Sequence, residues 1–131
     1  MISFSSATIA KQVTAKTVTA SEVDMLTITD KRFLQNSQFS VYVDSTVGSQ
    51  KIYLRYYHSF DSGSTWYQVP VKDLATTKGE LVNLPSIIDS SSPAKLVEDI
   101  AVTGSSAFKI TAQTDANTAT INVLTLVTRD N

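Results

Sequence analysis

The chain has 131 residues, 42% of them hydrophobic, with a formal net charge of −1 and no cysteine. That length suits one domain able to bury about two-thirds of the surface its unfolded form exposes, and the absence of cysteine excludes disulfides, thiolate metal sites and cysteine nucleophiles. Near-balanced charge leaves no electrostatic footprint for a polyanion, so nucleic acid is not an expected partner.

The start, Met1-Ile2-Ser3-Phe4-Ser5, has neither the basic segment nor the apolar stretch of a secretory signal. No apolar run approaches the ~18 residues of a membrane span. The expectation is a chain made in a cytoplasm, with no membrane partner. Residues 1–10 are small and hydroxyl-rich with isolated Phe4 and Ile9, a pattern that predicts an extended N-terminal arm ahead of a single domain over 11–131.

Gln12 to Thr19 alternates weakly, Met25 to Thr29 predicts a short strand, and Lys31 to Ser37 a polar connection. Phe39, Val41 and Val43 alternate with Ser40, Tyr42 and Asp44, as a half-buried strand requires. The strongest segment is Lys51 to Phe60. Ile52, Leu54, Tyr56, His58 and Phe60 fall on one face, and Tyr53, Arg55, Tyr57 and Ser59 on the other. Trp66 to Val71 returns as its hairpin partner until Pro70 weakens the far end. Lys72 to Glu80 reads as a surface loop, Leu81 to Leu84 as a short strand closed by Pro85, and Asp89 to Ser92 as a polar link.

Ser92-Pro93-Ala94-Lys95 has the chemistry of a helix start, so a short helix or turn is expected there, although Ile100 to Val102 also suits a strand. Phe108, Ile110 and Ala112 then alternate, and Thr114 to Asn117 reverses the chain into Ala119 to Thr128 as a final hairpin. In that last strand Ile121, Val123 and Val127 face one way and Leu124 and Leu126 the other, which implies burial on both faces. Strands at this spacing, with turn signals between them, predict an all-β fold: an antiparallel sandwich or jelly roll with at most one short helix.

Ser59-Phe60-Asp61-Ser62-Gly63-Ser64-Thr65-Trp66 fills every fixed position of the Asp-box pattern Ser/Thr-x-Asp-x-Gly-x-Thr-Trp and so resembles the turns of sialidase-like repeats. In those families the box is a structural turn distant from the chemistry. Here Asp61 would accept backbone N–H bonds, Gly63 would permit the geometry, Thr65 would bond locally and Trp66 would bury its ring on the sheet. A single copy in a short chain argues against a propeller.

His58 is the one histidine, but no motif marks a nucleophile or an orienting acid beside it, so a structural role is expected. Glu22, Asp24, Asp30, Glu98 and Asp99 lack the spacing of a calcium loop and read as solvated turns. No cofactor, metal site or catalytic residue is expected. Tyr53, Tyr57 and Tyr67, with Arg55, are expected to line the outward face of the central hairpin, where they suit a protein interface or sugar stacking. Phe4, Ile9, Leu124 and Leu126 are further interface candidates.

The stretch Ile-Tyr-Leu-Arg-Tyr-Tyr-His-Ser-Phe-Asp-Ser-Gly-Ser-Thr-Trp-Tyr and the closing Thr-Ile-Asn-Val-Leu-Thr-Leu-Val-Thr-Arg strand resemble, in style, the small β-sandwich virion proteins of tailed bacteriophages. The resemblance implies a non-enzymatic capsid decoration, neck or tail component. It would be made in the host cytoplasm, reside in the virion, and bind other virion proteins and further copies of itself. The alternative is a carbohydrate-binding module or adhesin domain using the surface tyrosines on a glycan.

Overall fold

The computed structural model describes residues 5–30, 34, 38–45, 51–72, 81–82, 85–89, 95–101, 105–116 and 118–130. These form eleven strands: β1 (Ser5–Val18), β2 (Val23–Ile28), β3 (Gln38–Ser45), β4 (Lys51–Ser59), β5 (Tyr67–Gln68), β6 (Val71–Lys72), β7 (Leu81–Val82), β8 (Ser86–Asp89), β9 (Lys95–Ala101), β10 (Ala107–Thr114) and β11 (Ala119–Asp130). One sheet runs β1-β11-β3-β9, a second runs β2-β10-β4-β5 with β8 also on β4, and β6-β7 form a separate ribbon.

The pairing is nested. β1 pairs with β11, β2 with β10, β3 with β9 and β4 with β8, all antiparallel. The β10–β4 and β11–β3 ladders then complete the two sheets. A long antiparallel ribbon wound on itself in this way is the jelly roll, and the fold is an all-β antiparallel sandwich. The core lies between the sheets, where alternation along β3, β4 and β10 buries Phe39, Val41, Ile52, Leu54, Phe108 and Ile110. Phe39 meets Phe108 edge to face with ring centroids 5.0 Å apart, a direct contact between the two sheets.

Bulges adjust this regular scheme. Thr14 and Ala15 oppose Asn122 where β1 carries one extra residue; Ala15 takes φ 53°, and its N–H donates to Asn122 Oδ1 at 2.7 Å. A bulge at Met25 lets both Met25 and Leu26 be buried, which simple alternation forbids. Along the β1–β2 side, Lys11 Nζ donates to the Thr27 carbonyl at 2.9 Å and Lys16 Nζ to the Asp24 carbonyl at 2.6 Å. The two lysines thereby occupy acceptors that an incoming strand would use.

The structure changes several of these expectations. β10 and β11 form no hairpin, because β10 lies between β2 and β4 while β11 lies between β1 and β3, so the two consecutive strands belong to different sheets. The anticipated helical turn over Leu96 to Ile100 is strand β9, whose ladder with β3 supplies backbone partners that a lone turn lacks. Ser86–Ile88, unassigned from sequence, and Asp89, read as the start of a polar link, form β8. Residues 5–10, expected as an arm, are extended within β1, with 5–9 paired to β11 from Ser5↔Asp130 onward; Lys72, the first residue of the predicted loop Lys72 to Glu80, belongs to β6, while Phe4 and 73–80 lie outside the described residues. Within the segment read as a polar connection, Leu34 is buried in the core.

Phe108→Ala removes the ring that joins the sheets and should cost about 3–5 kcal/mol of stability. Ile87→Ala, at a 58% exposed position on β8, should change it by less than about 0.5 kcal/mol. Urea denaturation of both variants measures the contrast.

Candidate functional site

The β4–β5 turn is built around the Ser59 hydroxyl. It donates to Asp61 Oδ1 at 2.7 Å and accepts the Gly63 N–H at 2.8 Å, and Asp61 Oδ1 accepts the Thr65 N–H at 2.8 Å. Ser62 and Gly63 both take positive φ, 59° and 96°. A Cβ at Gly63 would stand 3.5 Å from Trp66 Cζ2, an ordinary contact, so the need for glycine is conformational. The segment before β10 closes over the turn: the Ser106 N–H donates to the Ser59 carbonyl at 2.8 Å, and Ser106 Oγ accepts the Ser62 N–H at 2.8 Å. Ser59 is fully buried as a result, although alternation placed it with the outward set. The Thr65 side chain, the Ser59 hydroxyl and the Thr65 N–H hold the Asp61 carboxyl down at about 2.

The outward face of the second sheet forms a closed polar lattice. Tyr57 Oη donates to Glu22 Oε2 at 2.6 Å and Thr111 Oγ1 donates to the same oxygen at 2.5 Å. Arg55 Nη1 donates to Gln113 Oε1 at 3.1 Å, and Gln113 Nε2 donates to the Ala20 carbonyl at 2.8 Å. Lys109 Nζ lies 4.8 Å from the Trp66 ring centroid, 5.2 Å from that of Tyr57 and 3.8 Å from Asp24 Oδ1. Glu22 and Asp24, read as solvated turn residues, are exposed, but Asp24 lies on strand β2 and Glu22 also accepts the two hydroxyls of this lattice. Burial alone would raise the Glu22 carboxyl, but the bonds from Thr111 and Tyr57 and the charges of Arg55 and Lys109 together bring it below its ordinary value. Glu98 and Asp99 belong to strand β9, not to a turn.

Tyr67 does not join Tyr53 and Tyr57. The β4–β5 register sets it opposite His58, and directly opposed residues share a face. The three-tyrosine platform expected from sequence is therefore split. Tyr67 is 58% exposed beside Phe60, 60% exposed, with ring centroids 6.0 Å apart. Phe60 in turn lies 6.2 Å from His58, and His58 lies 5.8 Å from Phe108. Five rings, Phe39, Phe108, His58, Phe60 and Tyr67, thus run in succession from the inter-sheet core to the surface. His58 Nδ1 is 2.7 Å from Ser105 Oγ, and burial holds the ring's pKa below its ordinary 6.5.

The remaining candidates sit on the other sheet. Ile9 is in register with Leu126, and Leu124 with both Gln12 and Tyr42; the side chains of Ile9, Leu124 and Leu126 lie outside the described part. Sequence reading missed Phe60 as a surface group because alternation assigned it to the core face. It also missed Lys109, whose aromatic neighbours come from distant segments. The available signal was that the strand must end at the turn, so a ring just before Asp61 loses the cover of the opposite sheet. Among the described residues no three His, Asp or Glu side chains cluster as metal ligands, and no helix is long and apolar enough to cross a membrane.

No protein family matches the chain, and neither does any curated protein. Among solved structures it is similar to a chain from Bacillus endospore appendages, described as a family of disulfide-linked pili; identity is 12%, coverage is 99% of this chain and 91% of that one, and the TM-score is 0.58. It also aligns with the SPBc2 prophage-derived protein YomS, at 11% identity over 96% of each chain with a TM-score of 0.47. A capsid chain of Helicobacter pylori bacteriophage KHP30 aligns at 9% identity over 95% of this chain and 91% of that one, with a TM-score of 0.35. The likeness to the appendage chain is one of fold.

Two outcomes follow. Asp61→Ala should speed amide exchange at Thr65, whose acceptor is lost, and lower the urea midpoint, with Gly63→Ala strained in the same turn by its positive φ. Because the folded-state value of Glu22 lies below its unfolded one, its contribution is complete above its ordinary 4.5 and is lost as the pH falls through the lowered value. The urea midpoint should therefore drop with acidification in that range, and Glu22→Gln should flatten that limb.

Proposed function

We propose that this chain is a non-enzymatic structural subunit of a phage particle, a capsid decoration, neck or tail component, that binds neighbouring virion proteins and further copies of itself. The observation that carries the reading is the Phe60–Tyr67 pair, two exposed rings held in fixed positions by the β4–β5 turn and by the ring run behind them. Rigid exposed aromatics lose little freedom on binding and make effective contact anchors. With aromatic side chains covering about 150–250 Å² each, the pair presents on the order of 250 Å². A standard interface takes ~800 Å² from each partner, so a single contact would be weak and many copies would be needed to hold it.

The jelly roll is shared with a chain from pilus-forming endospore appendages, which supports the compatibility of this strand order with repeated assembly. Those pili are described as disulfide-linked, whereas this sequence has no cysteine, so its contacts would be non-covalent. The lysines along the β1–β2 side favour contacts elsewhere than that edge. The glycan reading drew on a single platform of Tyr53, Tyr57 and Tyr67, and the register divides those rings between two faces.

The double variant Phe60→Ser/Tyr67→Ser should keep the circular dichroism spectrum of the parent while co-sedimenting at least about tenfold more weakly with particles that lack this protein. Equal incorporation of the folded variant would remove the rim from the assembly contact.

A further inference from the structure

The ring run contains one group able to change charge near neutral pH, and it sits in the middle. His58 has the core ring Phe108 on one side and the exposed Phe60 on the other, is directly opposite Tyr67 in the β4–β5 ladder, and has its Nδ1 2.7 Å from Ser105 Oγ. Phe60 and Tyr67 therefore reach the core through His58. We propose that His58 is a pH-sensitive link: in its neutral form it backs the Phe60–Tyr67 contact, and on taking up a proton it withdraws that support, so the contact is firm at neutral pH and loosened in mild acid.

The argument follows from what surrounds the ring. Among the described residues the groups facing it are Phe60 on its own strand, Tyr67 on β5, Phe108 on β10 and Ser105 just before β10. None of them is a carboxylate or a basic group. Asp61, the acid nearest along the chain, is committed to the Ser59 hydroxyl and the Thr65 N–H. A neutral imidazole needs one hydroxyl, which can donate to or accept from Nδ1 according to the tautomer. The protonated ring is a donor at both nitrogens and carries a charge with no carboxylate beside it among the described residues. Attraction to the two neighbouring aromatic rings offsets part of that cost. Burial outweighs it, as the lowered pKa of the ring reflects. Swinging the ring into water then becomes the favoured response, and Phe60 loses its inner neighbour.

The proposal rests on the assembly reading for its consequence but is tested on the free chain. Nuclear Overhauser contacts between the His58, Phe60 and Tyr67 rings can be followed from pH 8 to 5. Asp61, held at about 2, and Glu22, lowered from 4.5, stay ionised across this window, and His58→Gln isolates the part of the response that His58 carries. The contacts of Phe60 with His58 and with Tyr67 should fade with the His58 titration, at a midpoint below 6.5, and the Phe60–Tyr67 contact should persist unchanged across the range in His58→Gln, which retains a partner for Ser105 but cannot take a proton in this range. Contacts that survive full protonation of His58 in the parent chain overturn the proposal, even if His58→Gln fails to fold, and so does an identical fading in a folded His58→Gln. Co-sedimentation with particles should weaken at least about tenfold between pH 7.5 and 5 for the parent and less than about twofold for His58→Gln. If the rings respond as stated but Phe60→Ser/Tyr67→Ser still co-sediments normally, the assembly reading fails while the link stands. If that variant fails to bind but the ring contacts ignore pH, the link alone fails.

Discussion

The contact between Phe39 and Phe108, edge to face across the two sheets, is the point from which the rest of the molecule is positioned. Burial between the sheets fixes both rings, Phe108 fixes His58, and His58 fixes Phe60 at the end of β4. The Ser59 hydroxyl adds the second constraint. By holding Asp61 and the Gly63 N–H, it closes the turn at a length that returns Tyr67 opposite His58. Packing and hydrogen bonding thus converge on one outcome, two aromatic rings side by side and exposed at the surface.

Exposure, more than aromatic content, separates the two surfaces that compete as contact sites. The face with Tyr53, Arg55 and Tyr57 is rich in groups that interfaces favour, yet the hydroxyls of Tyr57 and Thr111 are engaged with Glu22, the Arg55 guanidinium with Gln113 and the Lys109 ammonium with Asp24. A partner would have to break charge-assisted bonds to use them, and such bonds are costly to leave unmade. At the Phe60–Tyr67 rim a partner displaces only water from apolar carbon, which is favourable in proportion to the area covered. The same reasoning makes the closed face a stabiliser of the sheet instead of a platform.

Much of the fold was legible because alternation reports half-buried strands directly: β3, β4 and β10 follow from Phe39, Ile52, Leu54, Phe108 and Ile110. What stayed hidden depended on register or on long-range pairing. Ser86–Asp89 is too short to show a period, and the partners of β11 are set by the nested winding, which no local pattern encodes. The turn could be read residue by residue, since Ser59, Asp61, Gly63 and Thr65 act on one another over a few positions. The tyrosine face could not, because the face occupied by Tyr67 depends on whether it opposes His58 or its neighbour. Ser59 and Phe60 exchanged their expected environments at the strand end, one covered by Ser106 and the other past the reach of the opposite sheet.

Hydroxyl-radical footprinting of the free and the assembled chain tests the central claim most directly, since it reads side-chain exposure ring by ring. The account predicts that Phe60 and Tyr67 lose reactivity on assembly while Tyr53, Tyr57 and Trp66 react as they do in the free chain. Loss of reactivity at Tyr53, Tyr57 and Trp66, with Phe60 and Tyr67 unchanged, would contradict it.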